Sequence, residues 1–110
     1  MKKAKLLIES VLLAKTSHIT KDDNELLLER VSGIGGCGFL VEGDALSGVL
    51  TVLVDPKAYA GVDEDEFDDA NEGLSAEFMH LVGLARQNQC RWLRLDADVA
   101  AYPNLPTFDW

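Results

Sequence analysis

The sequence predicts an α+β fold of two split βαβ units, and three observations carry that expectation. Val49 to Val54 is a β-branched, apolar run closed by Asp55-Pro56, as a buried strand would be. Two sets of residues, Asn24, Leu27, Leu28, Val31 and Phe78, Leu81, Val82, Ala85, recur at helical spacing behind Thr20 and Ser75, whose hydroxyls can cap a helix. Arg91-Trp92-Leu93-Arg94-Leu95 alternates as a half-buried strand does.

The elements follow in order. Residues 5–16 (KLLIESVLLAKT) read as a long first strand, partly buried on both faces. Thr20 caps the first helix, with Asp22 and Asp23 in its first turn where the helix dipole favours negative charge, and Gly33 ends it. Gly35-Gly36 and Gly38 flank a short strand through Phe39, Leu40 and Val41. The stretch from Gly43-Asp44 to Gly48 joins that strand as a hairpin to Val49–Val54. Residues 56–74 read as an acidic loop. Ser75 opens the second helix, with Glu77 in its first turn and Arg86 near its end. Beyond the last strand, residues 99–110 carry Pro103 and Pro106 and read as an extended tail.

The order β-α-β-β-α-β is that of a ferredoxin-like two-layer sandwich, a four-stranded antiparallel sheet with both helices on one face. Right-handed crossovers give the strand order 4-1-3-2. At 110 residues the chain fits one such domain. In this arrangement the third strand brings Asp55 and the acidic stretch to the end where the fourth brings Asp96 and Asp98. Lys2, Lys3 and Lys5 would sit there too, while His18 would fall at the opposite end near Cys90.

Charge is the strongest functional signal. The net charge is −9, and residues 58–85 hold eight carboxylates with no lysine or arginine. Seven of them, Asp63, Glu64, Asp65, Glu66, Asp68, Asp69 and Glu72, lie within ten positions. A local field of one sign acts outward. It excludes direct binding to a phosphate backbone and attraction to anionic membranes, and it selects a protein partner with a basic surface. Phe67 and Tyr59 read as aromatic anchors within or beside the charges. An extended acidic segment has nearly the residue spacing of the phosphates along one DNA strand, about 3.4 Å, so it could enter a basic groove built for nucleic acid. The expected partner-binding set is therefore Asp63, Glu64, Asp65, Glu66, Phe67, Asp68, Asp69 and Glu72, joined by Asp96 and Asp98. The bland alternative is a solvated loop.

Other motifs carry less. Asp96-Ala97-Asp98 has oxygen ligands suited to Mg²⁺ or Ca²⁺, but such pairs also serve solubility at strand ends, and no metal site is expected. A His18–Asp96–Asp98 site is rejected because a strand length, roughly 17–20 Å, would separate its members. His80 reads as a surface or boundary residue. The 63–72 run lacks the turn glycine of a calcium loop and has Phe67 at a ligand position. Glycines 33, 35, 36 and 38 follow a helix and enter a strand, the reverse of a phosphate cradle. Cys37 and Cys90 lack metal-ligand spacing and read as reduced thiols of a cytoplasmic protein. No nucleophile–base constellation is visible, so neither catalytic residues nor a cofactor is expected. Phe108 and Trp110 read as folding back over the sheet or a helix flank.

Three segments, Thr16-Ser17-His18-Ile19-Thr20, CRWLRLDAD at 90–98 and LPTFDW at 105–110, resemble an uncharacterised bacterial family of unknown function. That family is borne mostly on plasmids and integrative elements of proteobacteria. Val99 stands where the family often has a glycine after the Asp-x-Asp pair. The resemblance implies a mobile-element context and assigns no catalytic residue. Small acidic proteins of such elements resemble inhibitors that imitate nucleic-acid charge against host restriction or CRISPR machinery. The expected role is thus a non-enzymatic binding protein, a nucleic-acid mimic acting on a host DNA-handling or defence complex. The alternative is an assembly module, a homodimer formed through an open sheet face or the Phe108–Trp110 tail, with acidic residues that only keep it soluble.

Overall fold

The computed structural model describes residues 9–32, 38–44 and 46–110. The expectations for Lys2, Lys3, Lys5, the strand start at 5–8, Gly33, Gly35, Gly36 and Cys37 fall outside those residues. The strands are β1 (Val11–Lys15), β2 (Val41–Asp44), β3 (Val49–Leu53) and β4 (Trp92–Asp96). The α-helices are α1 (Lys21–Val31), α2 (Glu64–Asn71) and α3 (Ala76–Gln87). Short 3₁₀ turns at Thr16–His18 and Pro56–Tyr59 follow β1 and β3.

Local signals built most of these elements. Thr20 Oγ1 accepts the Asp23 amide and Asp23 returns a carboxylate to the Thr20 amide, a reciprocal cap that satisfies two orphan donors of α1. Ser75 Oγ accepts the Phe78 amide at 3.1 Å and starts α3. β2 and β3 form the expected hairpin, though β2 begins at Val41, and Gly43 and Asp44 belong to the strand. Gly48, at φ 71°, supplies the left-handed turn residue that closes it.

One side of the sheet carries the core. Ala14, Leu50, Val52, Leu93 and Leu95 join Leu27 of α1 and Phe78, Leu81, Val82 and Ala85 of α3 in one buried cluster. The intervening positions Val11, Leu13 and Arg94 are exposed. Each large apolar side chain buried there contributes about 1.5–3 kcal/mol.

The sheet order is β1-β4-β3-β2, with β1 and β4 parallel, so the antiparallel ferredoxin-like arrangement is corrected. The cause lies in the β3–β4 connection, which holds α2 and a separate return segment where the composition predicts an acidic loop leading into one helix. Leu53 at the end of β3 lies opposite Trp92 at the start of β4, so the connection leaves and returns at one end of the sheet. It must therefore make two passes. α2 stays at that end, where Phe67 and Asn71 both meet Phe39, and the ascent is made by residues 71–75, which run along α1: Asn71 meets Arg30, a Cβ on Gly73 would lie 2.9 Å from Leu26 Cδ1, and Ser75 reaches Asp23. The descent is α3, about 18 Å long at its twelve residues. A connection with a single helix would have delivered β4 in the opposite direction.

Residues 97–110 form no strand or helix, and side chains of β1 and the turn after it hold them in place. Lys15 Nζ donates to Ala97 O at 2.6 Å and Val99 O at 3.2 Å. His18, 2% exposed, accepts the Tyr102 amide at Nε2 (2.9 Å), and its Nδ1 lies 2.8 Å from Pro106 O. A carbonyl can only accept, so Nδ1 carries the proton and the ring is the neutral tautomer that serves both contacts. Phe108 N donates to Ser17 O and Trp110 Nε1 to Ile19 O, each over 2.8–2.9 Å. The tail thus folds back on the turn after β1, although Trp110 stays half exposed.

Candidate functional site

Helix α2 gathers the acidic residues, and its start obeys ordinary capping chemistry. Asp63 Oδ1 accepts the amides of Asp65 (3.0 Å) and Glu66 (3.1 Å). Glu64, Asp65 and Glu66 occupy the first turn, where the helix dipole stabilises negative charge.

The inner face of α2 is a clamp. The Phe67 ring lies 5.0 Å from Phe39 and 4.8 Å from Tyr59, between centroids. Phe67 and Tyr59, expected as aromatic anchors for a partner, are partly buried and hold the acidic helix to the core. Tyr59 donates to Leu53 O at 2.5 Å and accepts the Leu40 amide at 2.9 Å. Burial raises the Tyr59 pKa above the ordinary 10.0, opposed by the Leu40 hydrogen bond and by Arg86, Arg30 and Arg91. Buried Asn71 accepts the Phe39 amide at 3.1 Å and Arg30 Nη1 at 3.3 Å. Arg30 Nη2 also donates to Ala70 O, one of the last carbonyls of α2. Asn71 and Arg30 were not evident in the sequence, because no spacing links polar residues so far apart.

The outer face is charge alone. Glu64, Asp68 and Glu72 form one row at i, i+4 and Asp65 and Asp69 a second, all exposed, as are Asp63 and Glu66. Among the described residues the ion pairs join Arg91 to Glu9 (3.3 Å) and Asp55 (3.4 Å), and none involves this window. Like charges at i, i+4 destabilise a helix by about 0.2–0.5 kcal/mol per pair. Asp68, Asp69 and Glu72 also face the negative end of the dipole, with no basic residue in the last turn. A helix rises about 1.5 Å per residue, so the match between an extended acidic chain and the phosphates of one DNA strand does not hold over Glu64–Asn71.

Asp96 and Asp98 are not part of this surface. They lie at the far end of β4, while Asp55 and the approach to α2 lie at its start, where Arg91 pairs with Asp55. Asp98 N donates to Asp96 Oδ1 at 2.9 Å, so the pair forms a local turn beside Lys15. His18 is at that same end, not near Cys90, so strand length does not separate it from Asp96. Its two ring nitrogens are instead taken by the tail. His80 is exposed on α3, and Cys90 is a free thiol before β4. No cluster of three or more His, Cys, Asp or Glu side chains able to hold a metal occurs among the described residues. No helix among them is long and apolar enough to cross a membrane.

The chain matches no curated protein and no solved structure. A family model does match, over residues 11–110, described as "Family of unknown function (DUF5983) C-terminal domain". With nearly its whole length inside that match, the chain belongs to the DUF5983 family of unknown function, in its C-terminal domain.

Proposed function

We propose that this domain is a non-enzymatic binding module that presents the outer face of α2 to a basic protein surface. The observation that carries the reading is electrostatic: seven exposed carboxylates without an ion pair among the described residues, on a helix fixed to the core by Phe67 and Asn71. Of these, Asp68, Asp69 and Glu72 oppose the helix dipole and repel their i, i+4 neighbours, a cost to the helix that no ion pair among the described residues offsets. A pre-ordered charged face steers association and loses little entropy on docking. Basic sites that ordinarily hold nucleic acid are the class of partner such a face fits, which makes inhibition of a DNA-handling or defence complex the favoured role. A plasmid or mobile-element origin in proteobacteria belongs to the same reading, supported by the resemblance of residues 90–98 and 105–110. So does a reducing, cytoplasmic setting, supported by the free thiol of Cys90.

The test is capture of partners by the wild-type chain beside a variant carrying Glu64→Gln, Asp65→Asn, Asp68→Asn, Asp69→Asn and Glu72→Gln. Asp63 is left in place because it caps α2. The reading predicts a basic partner held by the wild type, released by salt and missing from the variant. Equal recovery on both baits overturns it.

A further inference from the structure

The end of the molecule where β3 finishes and β4 begins holds a cleft of about 620 Å³, within the size range of small-molecule sites. Lys57, Arg86 and Arg91 line it with Glu9 and Asp55. The two acids are already committed. Glu9 Oε1 faces Arg91 Nε at 3.3 Å and Oε2 accepts Trp92 Nε1 at 2.8 Å. Asp55 Oδ1 accepts the Lys57 amide at 3.0 Å and Oδ2 faces Arg91 Nη1 at 3.4 Å. Arg91 is thereby balanced by its own carboxylates.

Two cations remain. Arg86 spends Nε on Val54 O at 2.8 Å and rests over the Phe39 ring, which leaves both Nη groups without a protein acceptor among the described residues. The Lys57 ammonium likewise has none. An independent sign of use is Gln89 on the same cleft. It ends α3 at φ 57°, the only non-glycine residue with positive φ among those described. The amides of Gln89 and Cys90 reach back to Arg86 O (3.0 Å) and Ala85 O (2.8 Å), a helix ending that ordinarily employs glycine. Backbone strain of this kind gathers at functional sites.

We propose that this cleft is a binding site for a small anion, a carboxylate or phosphate group gripped by the Arg86 guanidinium and the Lys57 ammonium, with the Gln89 side-chain carboxamide at its edge. The site is separate from the α2 surface and stands or falls without it. Planar guanidinium donors suit such oxyanions.

Titration of the ¹⁵N-labelled chain with inorganic phosphate and, separately, with succinate tests it, with sodium chloride at matched ionic strength as control. Saturable shifts at residues 55–57 and 86–91 are expected with at least one anion. The two arms distinguish a phosphate site from a carboxylate site. Arg86→Gln should weaken binding about tenfold or more, the loss of a charge-assisted contact. Gln89→Gly relieves the strained backbone, so it should fold at least as well as the wild type and still bind more weakly. Shifts no larger than those from chloride, or affinities unchanged in both variants, would overturn the proposal.

Discussion

Asp23 and Ser75 lock two helix starts together. Asp23 Oδ1 accepts the Ser75 amide at 2.7 Å, and Oδ2 lies 2.5 Å from the Ser75 hydroxyl. The same carboxylate takes the Thr20 amide, while Ser75 Oγ caps Phe78. One wholly buried acid thus fixes where α1 begins and where the chain turns from ascent to descent.

Asp23→Ala strips the acceptor from two backbone amides and a hydroxyl in a buried site. Each unsatisfied donor costs about 1–3 kcal/mol, so a total loss of about 3 kcal/mol or more is expected. Ser75→Ala should cost less, about 1 kcal/mol for a lost cap. Urea denaturation midpoints of the two variants check the order.

The acidic helix should gain stability when its unfavourable charges are removed. Asp68→Asn, Asp69→Asn and Glu72→Gln together are expected to stabilise the fold by about 1 kcal/mol at low ionic strength, by relieving repulsion and the opposed dipole. The gain should shrink in 1 M salt, where the screening length is about 3 Å. Thermal unfolding at two salt concentrations measures both effects.

The tail depends on His18. His18→Ala leaves the Tyr102 amide without its acceptor and removes a ring stacked on Tyr102 at 5.7 Å. A loss of about 2 kcal/mol is expected, with faster hydrogen exchange at the Tyr102 and Phe108 amides than in the core of α3.

Tyr59 sets an alkaline limit. Its folded-state pKa is raised by burial above the ordinary 10.0. Between those values the unfolded chain has released the phenolic proton and the folded chain has kept it. Stability therefore falls as pH climbs past 10.0, and the decline ends once the folded phenol ionises too. Tyr59→Phe should flatten this part of the profile while lowering stability at neutral pH, because the Leu40 amide loses its acceptor. Denaturation midpoints at neutral and alkaline pH compare the two chains.

The sequence was informative wherever the signal was local. Thr20 and Ser75 marked helix starts, and the stripes behind them marked core faces, because capping and periodicity act over one or two turns. Asp63 followed by three acids is also a helix-start signal, but the same charge density is equally that of a solvated loop. The pass along α1 is made by residues 71–75, which carry no periodic signal, and it is this pass that reverses β4 and puts Asp96 and Asp98 at the far end. One aromatic among carboxylates, Phe67, does not reveal from its neighbours whether it faces inward. The His18 contacts with Tyr102 and Pro106, and those of Arg30 with Asn71, join residues with no periodic relation, and only the packed molecule discloses them.

Docking through the outer face of α2 is tested most directly by titrating the ¹⁵N-labelled chain with a short arginine-rich peptide at physiological salt. The wild type should respond at residues 63–72 and leave Asp96 and Asp98 undisturbed. The variant with Glu64, Asp65, Asp68, Asp69 and Glu72 converted to their amides should not respond. Perturbations centred elsewhere, or equal affinity for both chains, would contradict the assignment.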